Sequence, residues 1–228
     1  KIKKYAAIDI GSNAVRLLIS NIILVEDEEP KFKKSALIRV PIRLGSDAFN
    51  SGTISEDNSK RMVDAMKAFK LLMNVHGVET YKACATSAMR DSSNGNELIQ
   101  KIKKEADINI EIIDGKKEAQ IIASTDLTEL IEGHKSYLYV DVGGGSTEFS
   151  VFSKHKVIAS KSFKMGTVRL LNKEVDKKET WKEIKKWIEN NTKDMKKIVL
   201  IGSGGNINKI FKVSGQKIDK PLSYIYMN

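Results

Sequence analysis

Cysteine, arginine and long apolar runs are what this 228-residue sequence has least of. A single cysteine, Cys84, excludes an internal disulfide. His76, His134 and His155 stand at no metal-ligand spacing from it, so zinc, haem and iron–sulfur readings are weak. Only six of the 39 basic residues are arginines (16, 39, 43, 61, 90 and 169) and the other 33 are lysines. Base-reading proteins depend on bidentate arginines, so no specific nucleic-acid partner is expected. No apolar stretch approaches the roughly 20 residues of a membrane span. The opening KIKKYAAIDIG passes directly into a strand pattern with no secretory leader, which makes a cytoplasmic protein the default expectation.

What is present is ordinary for a soluble chain: 41% hydrophobic and 30% charged residues argue against extended disorder. The length allows one large domain or two of about 110 residues. The formal charge of +10, from 39 basic against 29 acidic residues, suggests either an anionic partner or a lysine-rich proteome, and composition does not choose between them.

Residues 5–25 read as two strands around the turn Gly11-Ser12-Asn13, and residues 35–44 as a third. Ser55 opens an amphipathic helix that carries Met62, Met66, Phe69 and Leu72 at helical spacing to about Val75. A strand over Tyr81–Thr86, a loop at Thr86-Ser87, a helix from Asn94, a strand over Asn109–Ile113 and a helix over Glu118–Leu130 follow. A strand over Lys156–Ser162, a helix over Lys178–Lys193 with Trp181 and Trp187 in the core, and the strand-turn segment Ile198–Asn206 complete the order.

The second half starts as the first does. Tyr137 to Val151, with Asp141, Gly143 and Glu148, lies over Tyr5 to Ile19, with Asp9, Gly11 and Arg16, without a gap at an offset of 132 residues (141 − 9). Repetition on this scale implies two similarly built α/β domains, with a boundary near residues 119–135.

Three glycine turns follow apolar strands: Gly11-Ser12-Asn13, Gly143-Gly144-Gly145-Ser146-Thr147, and Gly202 to Asn206 with Gly204 at its centre. Glycine lets backbone N–H groups converge on an anion, and hydroxyl and amide side chains add donors. Asp9 and Asp141 stand at the ends of buried strands, where a carboxylate needs a partner or a cation. Mg²⁺, which prefers carboxylates, water and substrate phosphates, is the cation such a setting suits. Asx-type turn capping is the other reading. Glu148 shares the second turn, Arg16 stands in its place in the first copy, and Arg90 ends the hydroxyl-rich Ala85-Thr-Ser-Ala-Met-Arg90. Guanidinium groups suit multidentate phosphate binding.

The motifs Asp9-Ile-Gly-Ser-Asn13 with Arg16, Ala85 to Arg90, Ile113-Asp-Gly-Lys-Lys-Glu118-Ala119, Asp141 to Glu148, Met165-Gly166-Thr-Val-Arg169-Leu and Ile201-Gly-Ser-Gly-Gly205 together resemble the exopolyphosphatase / guanosine pentaphosphate phosphatase family. Six motifs in one order span nearly the whole chain. The resemblance implies two actin-like, ribonuclease H-like domains of the sugar kinase, heat-shock 70 and actin superfamily with an interdomain cleft, here 1–121 and 122–228. Because that family's two-domain core runs longer, the second domain is expected to be incomplete, and the absence of an initiator methionine fits a partial chain. The resemblance also implies Mg²⁺-dependent removal of the terminal phosphate of inorganic polyphosphate or guanosine pentaphosphate, with Glu118 as catalytic base. Lys117 stands where many members have a glutamate, and Ala14 where they often have serine. Gly11, Ser12, Asn13, Arg16, Arg90, Gly143–Thr147 and Gly204 are then expected to hold phosphates, and Asp141, Glu148 and Asp9 the Mg²⁺. A kinase or ATPase of the same superfamily and a non-catalytic polyanion-binding module are the competing readings. Assembly is left open, with a homodimer among the states allowed.

Overall fold

The computed structural model describes residues 1–124, 135–154, 156–173 and 175–215. Its contacts divide the chain into two units, Lys1–Asp114 and Gly115–Asn228.

In the first unit, β1 (Ile2–Ile10) pairs antiparallel with β2 (Val15–Ile23), which pairs antiparallel with β3 (Lys31–Val40). On its other side β1 pairs in parallel with β4 (Thr80–Ala85), and β4 with the short β5 (Glu111–Ile112). The sheet order is therefore β3-β2-β1-β4-β5. Alternation drives it: Ala6, Ile8, Ile10, Leu17 and Ile19 are buried, while Ala7 and Arg16 lie exposed. The third strand begins and ends earlier than the expected 35–44. Pro41, which has no N–H to give a ladder, follows its last residue, and the chain then turns into α1 (Leu44–Asn50) through Arg43 at φ 65.

Helix α2 (Glu56–His76) has the expected stripe, with Met62, Met66, Phe69 and Met73 buried. The Ser55 hydroxyl caps its start by accepting from the Asn58 N–H at 3.3 Å. Gly77 ends it at φ 66, with Gly77 N–H donating to Asn74 and Val78 N–H to Met73. The stretch read as a loop after β4 is the single-turn helix α3 (Ser87–Asp91), and α4 (Gly95–Ala106) follows.

In the second unit α5 (Gly115–Ser124) precedes β6 (Ser136–Val142), β7 (Thr147–Ser153), β8 (Lys156–Phe163), α6 (Thr167–Leu171), α7 (Lys177–Thr192), β9 (Ile198–Ser203) and α8 (Gly205–Ser214). The expected continuation of α5 to Leu130 lies outside the described residues. The sheet order β8-β7-β6-β9 repeats β3-β2-β1-β4 with the same antiparallel and parallel senses. Both units thus have the strand pattern of the actin-like, ribonuclease H-like fold. Phe149, Phe163, Met165 and Ile184 form one core, with Trp187 edge-on to both phenylalanines. Trp181, expected in that core, is instead 49% exposed, because Ile184, Trp187 and Ile188 already fill the buried stripe of α7. Helix α5 packs on β7 and β8, which places it in the second unit.

Candidate active site

The repeat extends to the hydrogen bonds of the two turns. Asp9 faces Arg16 across β1–β2, and Asp141 faces Glu148 at the same place across β6–β7. Gly11 N–H donates to the Ala14 carbonyl at 3.2 Å, and Gly143 N–H to the Ser146 carbonyl at 3.0 Å, closing two turns of one design. In both, the carbonyls are held from behind. Gly45 and Arg43 N–H groups donate to Ser12 and Asn13 at 2.7 and 3.0 Å. Thr167 and Val168 N–H groups donate to Gly143 and Gly144 at 3.0 and 2.8 Å. Arg169 Nε adds a bond of 2.8 Å to the Gly145 carbonyl. With its carbonyls tied down, the second turn keeps the N–H groups of Gly144, Gly145 and Ser146 without an acceptor among the described residues. Such a row of donors suits an anion.

Close packing explains why two glycines are required here. A Cβ on Gly166 would come within 2.2 Å of the Gly144 carbonyl oxygen. A Cβ on Gly204, which sits at φ +100, would lie 2.6 Å from the Val142 carbonyl and 3.0 Å from Asp141 Oδ1. The third glycine turn therefore lies directly against the Asp141 carboxylate.

Asp141 and Glu148 are like charges directly opposite each other in a ladder, an arrangement that destabilises a sheet unless something offsets it. Glu148 is 3% exposed, and its Oε1 accepts from the Ser162 hydroxyl at 2.8 Å. The donor set fits Mg²⁺, which is usually bound through one or two carboxylates with water and substrate phosphates completing the shell. Among the described residues no group of three or more His, Cys, Asp or Glu side chains could hold a metal as an all-protein cage.

Glu118 lies in the first turn of α5 and is half-buried. A Cβ on Gly115 would come within 2.2 Å of Ser162 Cβ, so the start of α5 rests on β8 beside the serine that serves Glu148. Glu118, three residues on, shares that side of the helix. Ser162 was not among the expected site residues, since nothing in its local pattern distinguishes it from any strand serine. Gly166 stood within a motif without an assigned role.

In the first unit, Arg16 Nη1 donates to Asp9 Oδ2 at 3.0 Å, with both side chains about half exposed. Burial pushes the Asp9 carboxyl above its ordinary 3.8, and the charge and hydrogen bond of Arg16 pull it back in part. The buried Ser12 and Ser87 hydroxyls lie 3.0 Å apart, joining the first turn to α3. Asn13 is exposed. Arg90 donates to the Ile113 carbonyl at 3.0 Å and pairs with Asp91 at 3.4 Å. Thr147 donates its hydroxyl to the Met165 carbonyl, while Ser146 is buried. Among the described residues no helix is long and apolar enough to cross a membrane.

A family model described as the Ppx/GppA phosphatase family matches residues 25–215. The chain is 33% identical over 172 residues to a bifunctional 3-dehydroquinate synthase/phosphatase of Fusobacterium nucleatum, covering 74% of this chain and 26% of that protein. It is 32% identical over 177 residues to exopolyphosphatase 2 of Mycobacterium tuberculosis, covering 73% and 53%. It is 29% identical over 167 residues to a guanosine-5'-triphosphate,3'-diphosphate pyrophosphatase of Aliivibrio fischeri, covering 73% and 32%. The chain thus spans from about a quarter to about half the length of these curated relatives. Among solved structures, the exopolyphosphatase of Cytophaga hutchinsonii is similar with a TM-score of 0.78 at 26% identity, over 95% of this chain and 72% of that one.

Proposed function

The chain belongs to the Ppx/GppA phosphatase family, whose members hydrolyse phosphoanhydride bonds, and from that premise we propose that it releases the terminal phosphate of inorganic polyphosphate. The observation that carries this reading is the Asp141–Glu148 pair beside a glycine turn whose carbonyls are tied down and whose Gly144, Gly145 and Ser146 N–H groups have no acceptor among the described residues. Carboxylates that repel one another next to an anion cradle suit a substrate that arrives with a divalent cation.

In this reading the N–H groups of Gly144, Gly145 and Ser146 bind phosphate oxygens. Asp141 and Glu148 would hold Mg²⁺, which when bound neutralises charge on the phosphoanhydride oxygens. Glu118 orients a water and takes its proton as the water attacks the terminal phosphorus. Phosphoryl transfer depends mainly on positioning and charge stabilisation, which rigid turns and tied-down carbonyls provide.

The test measures phosphate release from long-chain polyphosphate, short-chain polyphosphate and guanosine pentaphosphate side by side, with Mg²⁺ and with chelator. Glu118→Gln keeps the shape and removes the base, so a fall of about 10² to 10⁴ in kcat is expected. A parental rate in that variant would remove Glu118 from the mechanism. Faster turnover of guanosine pentaphosphate would make the nucleotide the substrate. Binding without turnover in the presence of Mg²⁺ would favour a polyanion-binding module.

A further inference from the structure

The carbonyls of the second glycine turn are not all held in the same way. Gly143 and Gly144 accept from the Thr167 and Val168 N–H groups, backbone donors at the start of α6 that any residue but proline would supply. Gly145 accepts from a side chain, Arg169 Nε at 2.8 Å, and from nothing else among the described residues. Arg169 lies within α6 and is half-buried.

Each of these bonds also aims a donor. The described peptides are trans, so the C=O of one residue and the N–H of the next point in opposite directions from one plane. Drawing the Gly143, Gly144 and Gly145 carbonyls toward α6 therefore turns the N–H groups of Gly144, Gly145 and Ser146 away from it. The Gly145–Ser146 peptide is the one that depends on a side chain for this orientation.

The first copy shows that a side chain is not required to tie this carbonyl. Its equivalent, 132 residues earlier (145 − 13), is the Asn13 carbonyl, which accepts from the Arg43 backbone N–H at 3.0 Å. The equivalent of the Gly144 carbonyl is that of Ser12, held by the Gly45 N–H at 2.7 Å. One copy thus closes both positions with neutral backbone donors, and the other places a guanidinium at the second. A charged donor makes a stronger hydrogen bond than a neutral one, and it polarises the peptide it binds, which strengthens the N–H at the other end as a donor. The positive charge also stands behind a turn that follows Asp141 and precedes Glu148, two carboxylates that oppose the approach of an anion.

We infer that Arg169 is a positioning residue for phosphate, which fixes and polarises the Gly145–Ser146 peptide and so makes the Ser146 N–H a strengthened donor. This rests on the hydrolase reading above and concerns one peptide of its anion cradle, within the second unit alone.

The test is calorimetric binding of inorganic phosphate, with Mg²⁺ present, to the full-length protein and to two variants of Arg169, with amide spectra of the same proteins labelled with ¹⁵N at glycine and serine. Arg169→Gln carries a neutral N–H donor at the position of Nε, and Arg169→Met fills the same length with neither donor nor charge. Phosphate affinity is expected to fall about tenfold in Arg169→Met and about threefold in Arg169→Gln, with KM for tripolyphosphate rising in the same order. On adding phosphate, the Ser146 amide proton is expected to move less in Arg169→Met than in the parent, while that of Gly144, aimed by a backbone bond, moves as in the parent. Parent-like phosphate affinity in Arg169→Gln overturns the assignment, because a neutral donor then serves as well. So does a loss in which Gly144 and Ser146 respond alike, since a turn that has merely loosened would change both. A parent that hydrolyses tripolyphosphate with a KM indifferent to both substitutions overturns the positioning role alone, and a parent that neither binds phosphate nor hydrolyses tripolyphosphate overturns the hydrolase reading with it.

Discussion

The Ser162 hydroxyl donates to Glu148 Oε1 at 2.8 Å, between residues that are direct partners across β7–β8. The same serine is the surface on which Gly115 seats the helix carrying Glu118. It therefore orients one proposed cation ligand and limits where the proposed base can stand. Ser162→Ala removes the hydrogen bond and keeps the Cβ contact. Groups that orient a metal ligand are typically worth about 10- to 100-fold in metal affinity or activity. The half-saturating Mg²⁺ concentration is expected to rise by that order, with the melting temperature in Mg²⁺-free buffer changed little. A Mg²⁺ response equal to the parent's would reduce Ser162 to a packing residue.

Gly204→Ala combines two faults, a left-handed φ of +100 and a Cβ 2.6 Å from the Val142 carbonyl. Strain of this kind costs on the order of 1–3 kcal/mol. Relief would come from moving the turn away from Asp141, so stability and activity are expected to fall together. Gly205→Ala is the control, since nothing lies within 4 Å of a Cβ there. If the two variants unfold at the same denaturant concentration, the close approach to Asp141 is not real.

Arg16 lowers an Asp9 carboxyl that burial raises, so removing the guanidinium leaves burial unopposed. Carboxyl titration by NMR is expected to give a higher Asp9 pKa in Arg16→Ala than in the parent. The stability difference between the two proteins is largest at neutral pH, where Asp9 is ionised, and shrinks as pH falls through its folded pKa above 3.8. Because both side chains are about half exposed, that difference stays below about 1 kcal/mol. A gap that widens on acidification would contradict the assignment.

The repeat was the most legible feature of the sequence, because its signal is carried by type and spacing together: Asp9, Gly11 and Arg16 against Asp141, Gly143 and Glu148. Strand pairing followed from it, as did the cross-strand facing of each acid with its partner. Ser162 and Gly115 could not be read, since their roles come from β8 and α5 meeting in space. Arg43 was equally silent: its left-handed backbone goes with a bond from its N–H to the Asn13 carbonyl, which lies 30 residues earlier (43 − 13). Trp181 was misread because helical spacing places it at the margin of a stripe whose width is set by what β7 and β8 present. Composition marked the scarcity of arginine without indicating that three of the six would gather around one turn.

Asp47 links α1, which begins directly after Arg43, to the start of α2. It accepts from the Ser55 N–H at 2.9 Å, the Ser55 hydroxyl at 2.5 Å and the Asn58 amide at 2.8 Å. Partial burial raises its pKa, but the bonds from Ser55 and Asn58 outweigh this and hold the carboxyl below its ordinary 3.8. A depressed folded pKa contributes stability that is present above the unfolded value and is lost as pH falls through the folded one. Asp47→Asn keeps the shape and removes the charge, so the parent's advantage over this variant in urea unfolding is expected to be full near pH 6 and to shrink below about pH 4. Ser55→Ala also removes the α2 cap and is expected to cost about 1 kcal/mol at neutral pH. If Asp47→Asn and the parent keep a constant difference across that range, the charge on Asp47 contributes nothing and the link is one of shape alone.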